Sequence, residues 1–499
     1  MSKRLILAID QGTTSSRSLL VDHSGNIVFT SQKEFTQHFP KPGWVEHDPL
    51  EIWSSQLFTI KEAIDYADNN QAVIESIGIT NQRETTIVWD KETGQPVYNA
   101  IVWQDRRTSD YCDALKQEGW TDTIHKKTGL WIDAYFSASK IKWILDHLDS
   151  NGVTVDRSNL IFGTVDTWLI YQLTKGKVHA TDVSNASRTM IYNIAELQWD
   201  SELLDQFGIP VTMLPNVRAS KDDYGHTDSD VVGKEIPISS SIGDQQAALF
   251  GQLCTEEGAL KNTYGTGCFL VMNTGTQLKY SAHKLLTTIS WKIDDTVHYA
   301  LEGSVFVGGA IVQWLRDGLG LFESSAEVED LATSVEDNGG VYFVPALTGL
   351  GAPYWDSNAR GSIIGITRGT TKAHIARAAL EGIALQVYDI VSAMNEDLGS
   401  PISELKVDGG ASANNLLMQL QSDLINADVI RPKVLESTAL GAAFLAGLQV
   451  GYWSSIDNLK SLVQVDRTFS PDMNDSEKTA MIKGWHKAVG RTLKWLDEN

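Results

Sequence analysis

The sequence predicts an α/β protein of duplicated architecture, and three observations favour it. The chain has 499 residues, which is long enough for more than one domain and a sizeable core. Short apolar runs separated by glycine-containing turns occur near the N-terminus, and the same pattern starts again after residue 254. Each set of runs is followed by helix-spaced apolar residues. We therefore expect two domains of one architecture, residues 1–254 and 255–499.

The first half opens with hairpin-spaced strands rather than with a strand that leads into a helix. The predicted strands of this half are residues 5–9, 18–21, 26–30, 76–80, 85–89 and 160–162. A helix is predicted over residues 137–148, because apolar residues recur at i, i+3, i+4 and i+7 from Ile141.

The second half repeats the sequence of strand, glycine turn and strand. Its predicted strands are residues 260–262, 269–272, 297–301 and 405–407. A long helix is predicted from Ile375 to Met394, and a further helix that contains Leu416, Leu417 and Leu420 follows the turn after residue 407.

The overall charge and the cysteine usage exclude several classes of protein. The formal net charge is −22, which argues against a general nucleic-acid binder, although it leaves room for one small anionic ligand. The cysteines Cys112, Cys254 and Cys268 are odd in number and far apart, so neither a disulfide framework nor a cysteine zinc site is predicted. Because the apolar N-terminal run is too short for a signal peptide and no window spans a bilayer, we expect a cytoplasmic protein without an integral membrane segment.

Three glycine turns are candidates for binding phosphate. The first lies within Asp10–Arg17, where hydroxyls and an arginine surround Gly12. The others are Tyr264–Gly267 and Asp408–Ala411, and the helix after the last turn could direct its N-terminus at a nucleotide. Each turn alone could be structural. Since the sequence has no P-loop, no Rossmann fingerprint and no H-R-D triplet, three such turns after strands in both halves favour a nucleotide held between two domains.

Two further segments could bind and activate a second substrate. Arg83 and Glu84 follow a predicted parallel strand, where ligands of α/β sheets collect, and a donor beside an acceptor suits a polyol; the alternative is a surface ion pair. Asp244 follows a glycine at the start of a small-residue helix, where it could be a helix cap or a general base that takes a hydroxyl proton. Trp103 and Phe269 could form walls against the carbon chain of a ligand.

Taken together, these motifs resemble the FGGY family of carbohydrate kinases, and within it the members that act on glycerol. The resemblance rests on Asp10–Arg17, Thr80–Thr85, Gly243–Gly251, Asn262–Phe269 and Val407–Ala411, on the family signatures Phe136–Trp143 and Gly361–Glu381, and on the landmarks Pro42–His47 and Gly351–Asp356. It extends over essentially the whole chain. It implies two ribonuclease-H-like domains of the actin and sugar-kinase superfamily with the active site in the cleft between them, and ATP-dependent phosphorylation of glycerol to sn-glycerol 3-phosphate in glycerol uptake and catabolism.

The resemblance also implies a role for each site residue. Asp244 would be the base, and the glycerol-binding residues would be Arg83, Glu84, Tyr135, Asp244 and Gln245, with Trp103 and Phe269 against the carbons. The residues around ATP would be Thr13, Thr14, Ser15, Arg17, Thr266, Gly309, Gln313, Gly410 and Asn414. Asp10 and Asp244 would position Mg²⁺ through water. The first domain would bind the polyol and the second the nucleotide, and the chain would form a homodimer or homotetramer.

The resemblance is incomplete in the segments that regulate some bacterial relatives. A basic glycine-rich loop that binds fructose 1,6-bisphosphate in those relatives corresponds here to the acidic Asp228–Ile236. A histidine that is phosphorylated in other relatives corresponds to Asp230, and the register of the nearby His226 does not match. We therefore expect both controls to be absent.

Two other interpretations stay open at this point. The chain could phosphorylate another polyol or sugar on the same fold, and the pocket around Arg83, Glu84, Tyr135 and Phe269 decides between them. It could also be a non-catalytic ATP-dependent switch or chaperone, since actin-like folds host those as well. A switch would have no need for a polyol site or for Asp244.

Overall fold

The computed structural model of the chain describes residues 3–152 and 156–496, and its first half contains thirteen strands and nine helices within those residues. The strands are β1 (Lys3–Gln11), β2 (Ser15–Val21), β3 (Ile27–Glu34), β4 (Glu46–His47), β5 (Ala72–Asn81), β6 (Ile87–Asp90), β7 (Ala100–Ile101), β8 (Leu160–Gly163), β9 (Ala180–Asp182), β10 (Tyr192–Asn193), β11 (Gln198–Trp199), β12 (Asn216–Arg218) and β13 (Ile238–Gly243). The helices are α1 (Pro49–Asn69), α2 (Ser109–Gln117), α3 (Thr121–Thr128), α4 (Ser137–Ser150), α5 (Val165–Leu173), α6 (Val183–Ala186), α7 (Ser201–Phe207), α8 (Ser229–Val232) and α9 (Asp244–Gly251).

The second half begins with a new hairpin and ends on a long helix. Its strands are β14 (Leu260–Tyr264), β15 (Cys268–Gly275), β16 (Leu286–Ile293), β17 (Thr296–Val305), β18 (Tyr342–Val344), β19 (Ser362–Ile364), β20 (Glu404–Asp408), β21 (Asp428–Pro432) and β22 (Val465–Phe469). Its helices are α10 (Gly309–Asp317), α11 (Glu327–Thr333), α12 (Lys372–Leu398), α13 (Asn415–Ile425), α14 (Ser437–Gln449), α15 (Ile456–Lys460) and α16 (Asp475–Thr492).

The first sheet has the strand order β3-β2-β1-β5-β13. β1, β2 and β3 are antiparallel neighbours, as the hairpin spacing predicts, whereas β5 and β13 run parallel to β1. β1 is buried from Leu5 to its end because helices cover the sheet, so its apolar run is continuous rather than alternating. The ends of β1, β5 and β13 therefore lie side by side at one edge of the sheet, where Asp10, Asn81 and Gly243 are found.

The second sheet repeats this arrangement. Its order is β16-β17-β15-β14-β20-β21-β22, and the five strands from β17 to β21 match the first sheet in order and direction. β16 and β22 extend it on both sides by antiparallel pairing. The repeat confirms the predicted duplicated α/β architecture and agrees with the ribonuclease-H-like domains that the resemblance implies.

Two helices pack between the sheets and bring them together. α9 and α14 cross so closely that a Cβ on Gly441 would lie 1.9 Å from the carbonyl oxygen of Ala247, and one on Gly251 would lie 2.0 Å from that of Ser437. The apolar cluster around these helices includes Ile6 of the first sheet and Val271 of the second. α14 therefore covers the first sheet although it belongs to the second half of the chain.

The predicted elements differ from the structure mainly in their ends. The helix predicted over residues 137–148 is α4, and the long helix from Ile375 to Met394 lies inside α12. The strand predicted from residue 85 starts two residues later, at Ile87. After β20 the chain first makes a 3₁₀ turn over Gly410–Ala413, so the following helix starts only at Asn415. Within residues 3–152 and 156–496, no helix combines the length and apolar character needed to cross a bilayer.

Candidate active site

The first predicted phosphate turn joins β1 to β2 at the edge where the parallel strands end. The Gly12 N–H donates to the carbonyl oxygen of Ser15 over 2.9 Å and closes the turn. Gln82, just past β5, donates from Nε2 to Oε1 of Gln11 (3.0 Å) and to the Gly12 carbonyl (3.2 Å). Thr14 is exposed at the tip, whereas the Ser15 hydroxyl is buried and accepts from Gln32. The turn is therefore held in place by the neighbouring strand.

Arg83 and Glu84 leave the end of β5 and are almost completely buried, at 2% and 1% exposure. The alternative of a surface ion pair is therefore wrong. Glu84 has a φ of +60°, a conformation that costs a non-glycine residue energy and persists only where its surroundings fix it. Its carbonyl oxygen accepts from the hydroxyls of Thr86 (3.0 Å) and Ser137 (2.9 Å), which fix the strained backbone.

Asp244 is the first residue of α9, and Gly243 occupies the N-cap position in its place. Its Oδ1 lies 3.1 Å from Nε of Arg83, and its side chain is 30% exposed. Burial raises the pKa of Asp244, and the positive charges of Arg83 and Lys261 oppose that rise. The carboxylate thus lies beside the buried arginine, on a side chain that solvent partly reaches.

The three predicted aromatic residues meet beside Arg83 and Glu84. The ring centroids of Trp103 and Tyr135 are 5.6 Å apart, and those of Trp103 and Phe269 are 6.3 Å apart. Nε1 of Trp103 donates to Oγ1 of Thr13 over 3.1 Å, so this wall is attached to the first phosphate turn. Burial raises the pKa of the Tyr135 phenol, which stays a hydrogen-bond donor at neutral pH.

The predicted nucleotide residues of the second half form a set of adjoining backbone turns. The N–H groups of Gly308 and Gly309 donate to the carbonyls of Thr266 (2.8 Å) and Gly265 (2.9 Å), which joins the start of α10 to the β14–β15 turn. A Cβ on Gly309 would be 3.8 Å from that of Ala411, so the turn after β20 lies against both.

The turn after β20 is fixed at its two ends, Gly409 and Asn414, by different contacts. Gly409 has a φ of +83°, and a Cβ there would come within 2.6 Å of the Tyr264 carbonyl oxygen. Asn414 caps α13 by accepting from the Leu417 N–H over 2.8 Å. Gln313 is exposed on α10. Thr266, Gly309 and Gly410 are thereby brought together, with Asn414 and Gln313 on the elements that follow.

Sequence reasoning missed the charged residues that lie under the site. Nη1 and Nη2 of Arg83 donate to the two carboxylate oxygens of Glu302 over 2.6 and 2.9 Å, and Nε of Arg188 donates to Glu84 over 2.5 Å. Lys261 donates from Nζ to Oε1 of Gln245 over 2.5 Å. Two of these residues, Glu302 and Lys261, could have been found from the sequence. Each is a charged residue inside an apolar strand, in Leu301-Glu302-Gly303 and in Leu260-Lys261.

Asp10 and Asp244 are the two carboxylates of this strand edge that could hold a magnesium ion through water, although the described residues contain no cluster of three or more acidic, histidine or cysteine ligands. They leave the ends of β1 and β13, two strands apart, on either side of β5. Mg²⁺ keeps several waters and needs one or two carboxylates together with substrate phosphates, so two separated carboxylates suffice. Arg17 lies 2.5 Å from Asp10 and 2.7 Å from Glu436, which brings a cation to the same edge.

Models of known protein families match both halves of the chain. The N-terminal domain of the FGGY family of carbohydrate kinases matches residues 5–251, and the C-terminal domain of that family matches residues 260–450. The chain belongs to the FGGY family of carbohydrate kinases. The β-strand edge with Asp10, Arg83 and Asp244 is therefore the candidate active site of an FGGY kinase.

Close relatives within the FGGY family share nearly the full length of the chain. The chain is 60% identical over 494 residues to a glycerol kinase of Parabacteroides distasonis, with 99% of both proteins covered. It is 59% identical over 498 residues to a glycerol kinase of Chromobacterium violaceum, with 100% of both covered.

Solved structures agree with the FGGY assignment. A Plasmodium falciparum glycerol kinase with ADP superimposes with a TM-score of 0.93 and 42% identity, covering 99% of each chain. A ligand-bound xylulose kinase of Lactobacillus acidophilus superimposes with a TM-score of 0.88 at 24% identity, covering 98% of this chain and 97% of that one. The latter likeness shows the shared fold.

Proposed function

We propose that this FGGY kinase transfers the γ-phosphoryl group of ATP to glycerol and forms sn-glycerol 3-phosphate and ADP, in glycerol uptake and catabolism. The names of the relatives that are about 60% identical support glycerol as the substrate, and the ADP of the Plasmodium structure supports a nucleotide. The observation that carries the proposal is the partly exposed side chain of Asp244, whose Oδ1 lies 3.1 Å from Nε of the buried Arg83.

The residues of the polyol side suit a small substrate that carries a hydroxyl group on each carbon. Arg83 would donate to a hydroxyl and Glu84 would accept from one, while Tyr135, Asp244 and Gln245 complete the polar contacts. The faces of Trp103 and Phe269 would pack against the carbons, which lack polar groups of their own. Alternating donors and acceptors against an apolar wall discriminate well between polyols, because a missing hydroxyl leaves a buried group unpaired.

Proton removal by Asp244 accompanies the transfer. As the terminal hydroxyl oxygen of glycerol bonds to the γ-phosphorus, the bond from that phosphorus to the β–γ bridging oxygen breaks and ADP leaves with its electron pair. The hydroxyl proton passes to the Asp244 carboxylate and then to solvent, which the 30% exposure of the side chain permits. Phosphoryl transfer otherwise needs mainly alignment and neutralisation of charge.

The nucleotide side aligns ATP through backbone turns together with hydroxyl, amide and arginine side chains. The proposed contacts are Thr13, Thr14, Ser15, Arg17, Thr266, Gly309, Gln313, Gly410 and Asn414. Asp10 and Asp244 would hold Mg²⁺ through water, and this ion neutralises the phosphate charge when it is bound. We expect the two lobes to close over both substrates and exclude water, which limits wasteful hydrolysis of ATP.

Organisation, location and control of the enzyme are part of the same proposal. We assign residues 1–254 to a polyol-binding domain and residues 255–499 to a nucleotide-binding domain. A cytoplasmic location is supported by cysteines that are buried free thiols. A homodimer or homotetramer is expected from the resemblance, and light scattering after size exclusion would test it.

Control by fructose 1,6-bisphosphate and by a phosphohistidine is proposed to be absent. Asp228 caps α8 and pairs with Lys177 over 2.9 Å, and Asp230 pairs with Lys175 over 2.5 Å, so the acids of this segment neutralise the lysines that a bisphosphate would need. A clear change of activity with physiological fructose 1,6-bisphosphate, or a phosphohistidine in Asp228–Ile236, would contradict this.

A coupled assay of the purified protein tests the proposed function directly. ADP release would be measured with Mg²⁺-ATP and, in turn, glycerol, erythritol and xylulose. We expect the highest kcat/KM with glycerol. A higher value with the pentulose would refute the glycerol assignment, and ATP binding without transfer to any polyol would favour a switch or chaperone.

A further inference from the structure

A fully buried carboxylate from the second sheet lies at the centre of the polyol side. Glu302 is on β17, between the partners Val271 of β15 and Leu286 of β16 to which its backbone is paired, and its exposure is 0%. Its side chain leaves the second sheet and contacts two arginines of the first half, Arg83 and Arg188. Since the proposed reaction assigns no step to Glu302, its position needs a separate explanation.

Glu302 fixes the plane of the Arg83 guanidinium. Both carboxylate oxygens accept from Arg83, over 2.6 and 2.9 Å, and this forked geometry allows one orientation of the two planar groups. Nη1 of Arg83 also donates to Oε1 of Gln246 over 3.2 Å, and Nε faces Asp244. Among the described residues, hydrogen bonds account for three of the five N–H groups, two on Nη1 and one on Nη2. The Nε N–H, beside Asp244, and the second Nη2 N–H are left as the donors that we assign to a bound hydroxyl.

The same carboxylate acts on Glu84 through Arg188. Oε1 of Glu302 accepts from Nη2 of Arg188 over 3.1 Å, and Nε of Arg188 donates to Oε1 of Glu84 over 2.5 Å. Arg188 is completely buried, and its guanidinium carbon lies 5.4 Å from the ring centroid of Tyr135. One chain of contacts thus links Glu302 to two other members of the polyol side.

The charges explain why an acid is needed at this position. Arg83 and Arg188 are two buried cations in one site, and each raises the cost of charging the other. Glu302 lies between them and accepts from both. Burial disfavours its charged form, but Arg188 and Arg83 outweigh this and lower the pKa of Glu302 to about 2, so it is ionised throughout the neutral range.

We propose that Glu302 is a positioning residue of the polyol side: from the second sheet it orients Arg83 directly, and Glu84 through Arg188, for the hydroxyls of glycerol. Without this anion the two guanidinium groups repel each other, and Arg83 loses the orientation that the forked contact with Glu302 fixes. The inference rests on the proposed function, because it names how that substrate side is kept in its binding geometry. ATP contacts are left unaffected, since none of them involves these arginines.

The test is Glu302→Gln, which keeps the shape and removes the charge. We expect the glycerol KM to rise at least tenfold, the calorimetric Kd for glycerol to rise in parallel, and the ATP KM to stay within twofold. Glu302→Asp keeps the charge on a shorter side chain. If the charge is what positions Arg83, Glu302→Asp should raise the glycerol KM less than Glu302→Gln does.

A matched control is Glu381→Gln. Glu381 is also buried, at 2% exposure, and accepts from Arg377 over 3.0 Å and from Asn338 over 2.6 Å on α12 and its surroundings. Its loss should lower the thermal midpoint without changing either KM. If Glu302→Gln behaves in this way, or raises both KM values equally, the positioning role is wrong.

The remaining outcomes also decide the question. If Glu302→Gln does not fold, Arg188→Lys replaces it, because a single ammonium group does not reproduce the contacts of Arg188 with both Glu84 and Glu302. An unchanged glycerol KM in Arg188→Lys overturns the inference. A wild-type enzyme that phosphorylates another polyol refutes the glycerol assignment instead, and the same KM comparison is then made with that polyol. If the wild type phosphorylates glycerol and Glu302→Gln leaves the glycerol KM unchanged, the positioning role of Glu302 is refuted and the proposed function is not.

Discussion

The proposed polyol side and the proposed nucleotide side of this kinase differ in the groups that hold them together. On the polyol side, buried charged side chains hold one another: Arg83, Glu84, Arg188 and Glu302 are each no more than 2% exposed. On the nucleotide side, the contacts between Thr266, Gly309 and the turn after β20 run through backbone groups and glycine.

The difference follows from the chemistry of the two ligands. A polyol offers only hydroxyls, so selection among polyols needs donors and acceptors in fixed places, and a buried ion network provides these. A triphosphate carries a strong charge that convergent N–H groups can bind, and backbone turns supply such groups beside the proposed side-chain contacts such as Arg17. Trp103 and Thr13 join the two sides by a hydrogen bond, and Asp244 is assigned to both. We therefore expect changes away from these residues to affect mainly the side on which they lie.

Asp244 is where the two sides meet, so its substitution should have the largest effect. Asp244→Asn keeps the shape but cannot take the hydroxyl proton, and general-base catalysis contributes roughly 10²–10⁴-fold. We expect kcat to fall about 10³-fold while the ATP KM changes by no more than about twofold, measured by the coupled assay.

Asp230→Asn is the matched control for Asp244→Asn. Asp230 is a surface acid whose side chain is 74% exposed and paired with Lys175, and its loss should leave kcat unchanged. Turnover near the wild-type rate in Asp244→Asn would mean that the base is another group.

Removal of divalent ions should separate the two sides. With EDTA in excess, we expect turnover to fall at least about 100-fold, because the phosphate charge is no longer neutralised. The calorimetric Kd for glycerol should stay within about twofold, since the donors and acceptors of the polyol side belong to the protein. Equal loss of glycerol and ATP affinity would contradict the independence of the two sides.

Gly410→Ala tests the backbone-built side. A Cβ at Gly410 meets no described atom of the protein within 4 Å, so the substitution should not strain the fold. If ATP occupies that space, the methyl group meets the nucleotide, and we expect the ATP KM to rise about tenfold, a cost of ~1.4 kcal/mol, with the glycerol KM unchanged.

Gly490→Ala is the control for Gly410→Ala. It also adds a methyl group that meets no described atom within 4 Å, but on α16. Neither KM should change in this variant. An unchanged ATP KM in Gly410→Ala would remove Gly410 from the nucleotide side.

The sequence predicts the backbone-built side better than the side-chain network. The turn at Gly12, the turn at Gly265 and the turn at Gly409 follow apolar strands directly, so strand period and glycine position locate them. The opening hairpin of each half, β1–β2 and β14–β15, can be located in the same way because the two have similar spacing.

The buried network could not be predicted, because its members are far apart in the chain. Glu84 and Arg188 are separated by 104 positions, and Arg83 and Glu302 by 219. A sequence places Arg83 at a strand end but does not say which acid faces it, since pairing depends on how the two sheets meet. The alternative of a surface ion pair for Arg83 and Glu84 was wrong for this reason. The residues that compensate their buried charges, Glu302 and Arg188, lie in distant parts of the sequence.

The smallest effect we predict concerns Lys140, which holds the loop before α4. Its Nζ is fully buried and donates to the carbonyl oxygens of Tyr135 (2.7 Å) and Phe136 (3.2 Å), and also to that of Ala134. Lys140→Met fills similar space but removes this donor from the carbonyls of Ala134 and Tyr135, which costs about 1–3 kcal/mol for each buried group left unpaired.

Because Tyr135 lies on this loop, loss of the Lys140 hydrogen bonds should weaken glycerol binding and leave ATP binding unchanged. We expect the glycerol KM of Lys140→Met to rise about threefold, or ~0.7 kcal/mol, with the ATP KM unchanged and a lower thermal midpoint. Lys142→Met is the control: Lys142 is on the surface of α4, 3.0 Å from Asp146, and its removal should change neither KM. A rise in the ATP KM with Lys140→Met would mean that the side-chain network and the backbone turns are coupled through α4, and that the two sides are not independent.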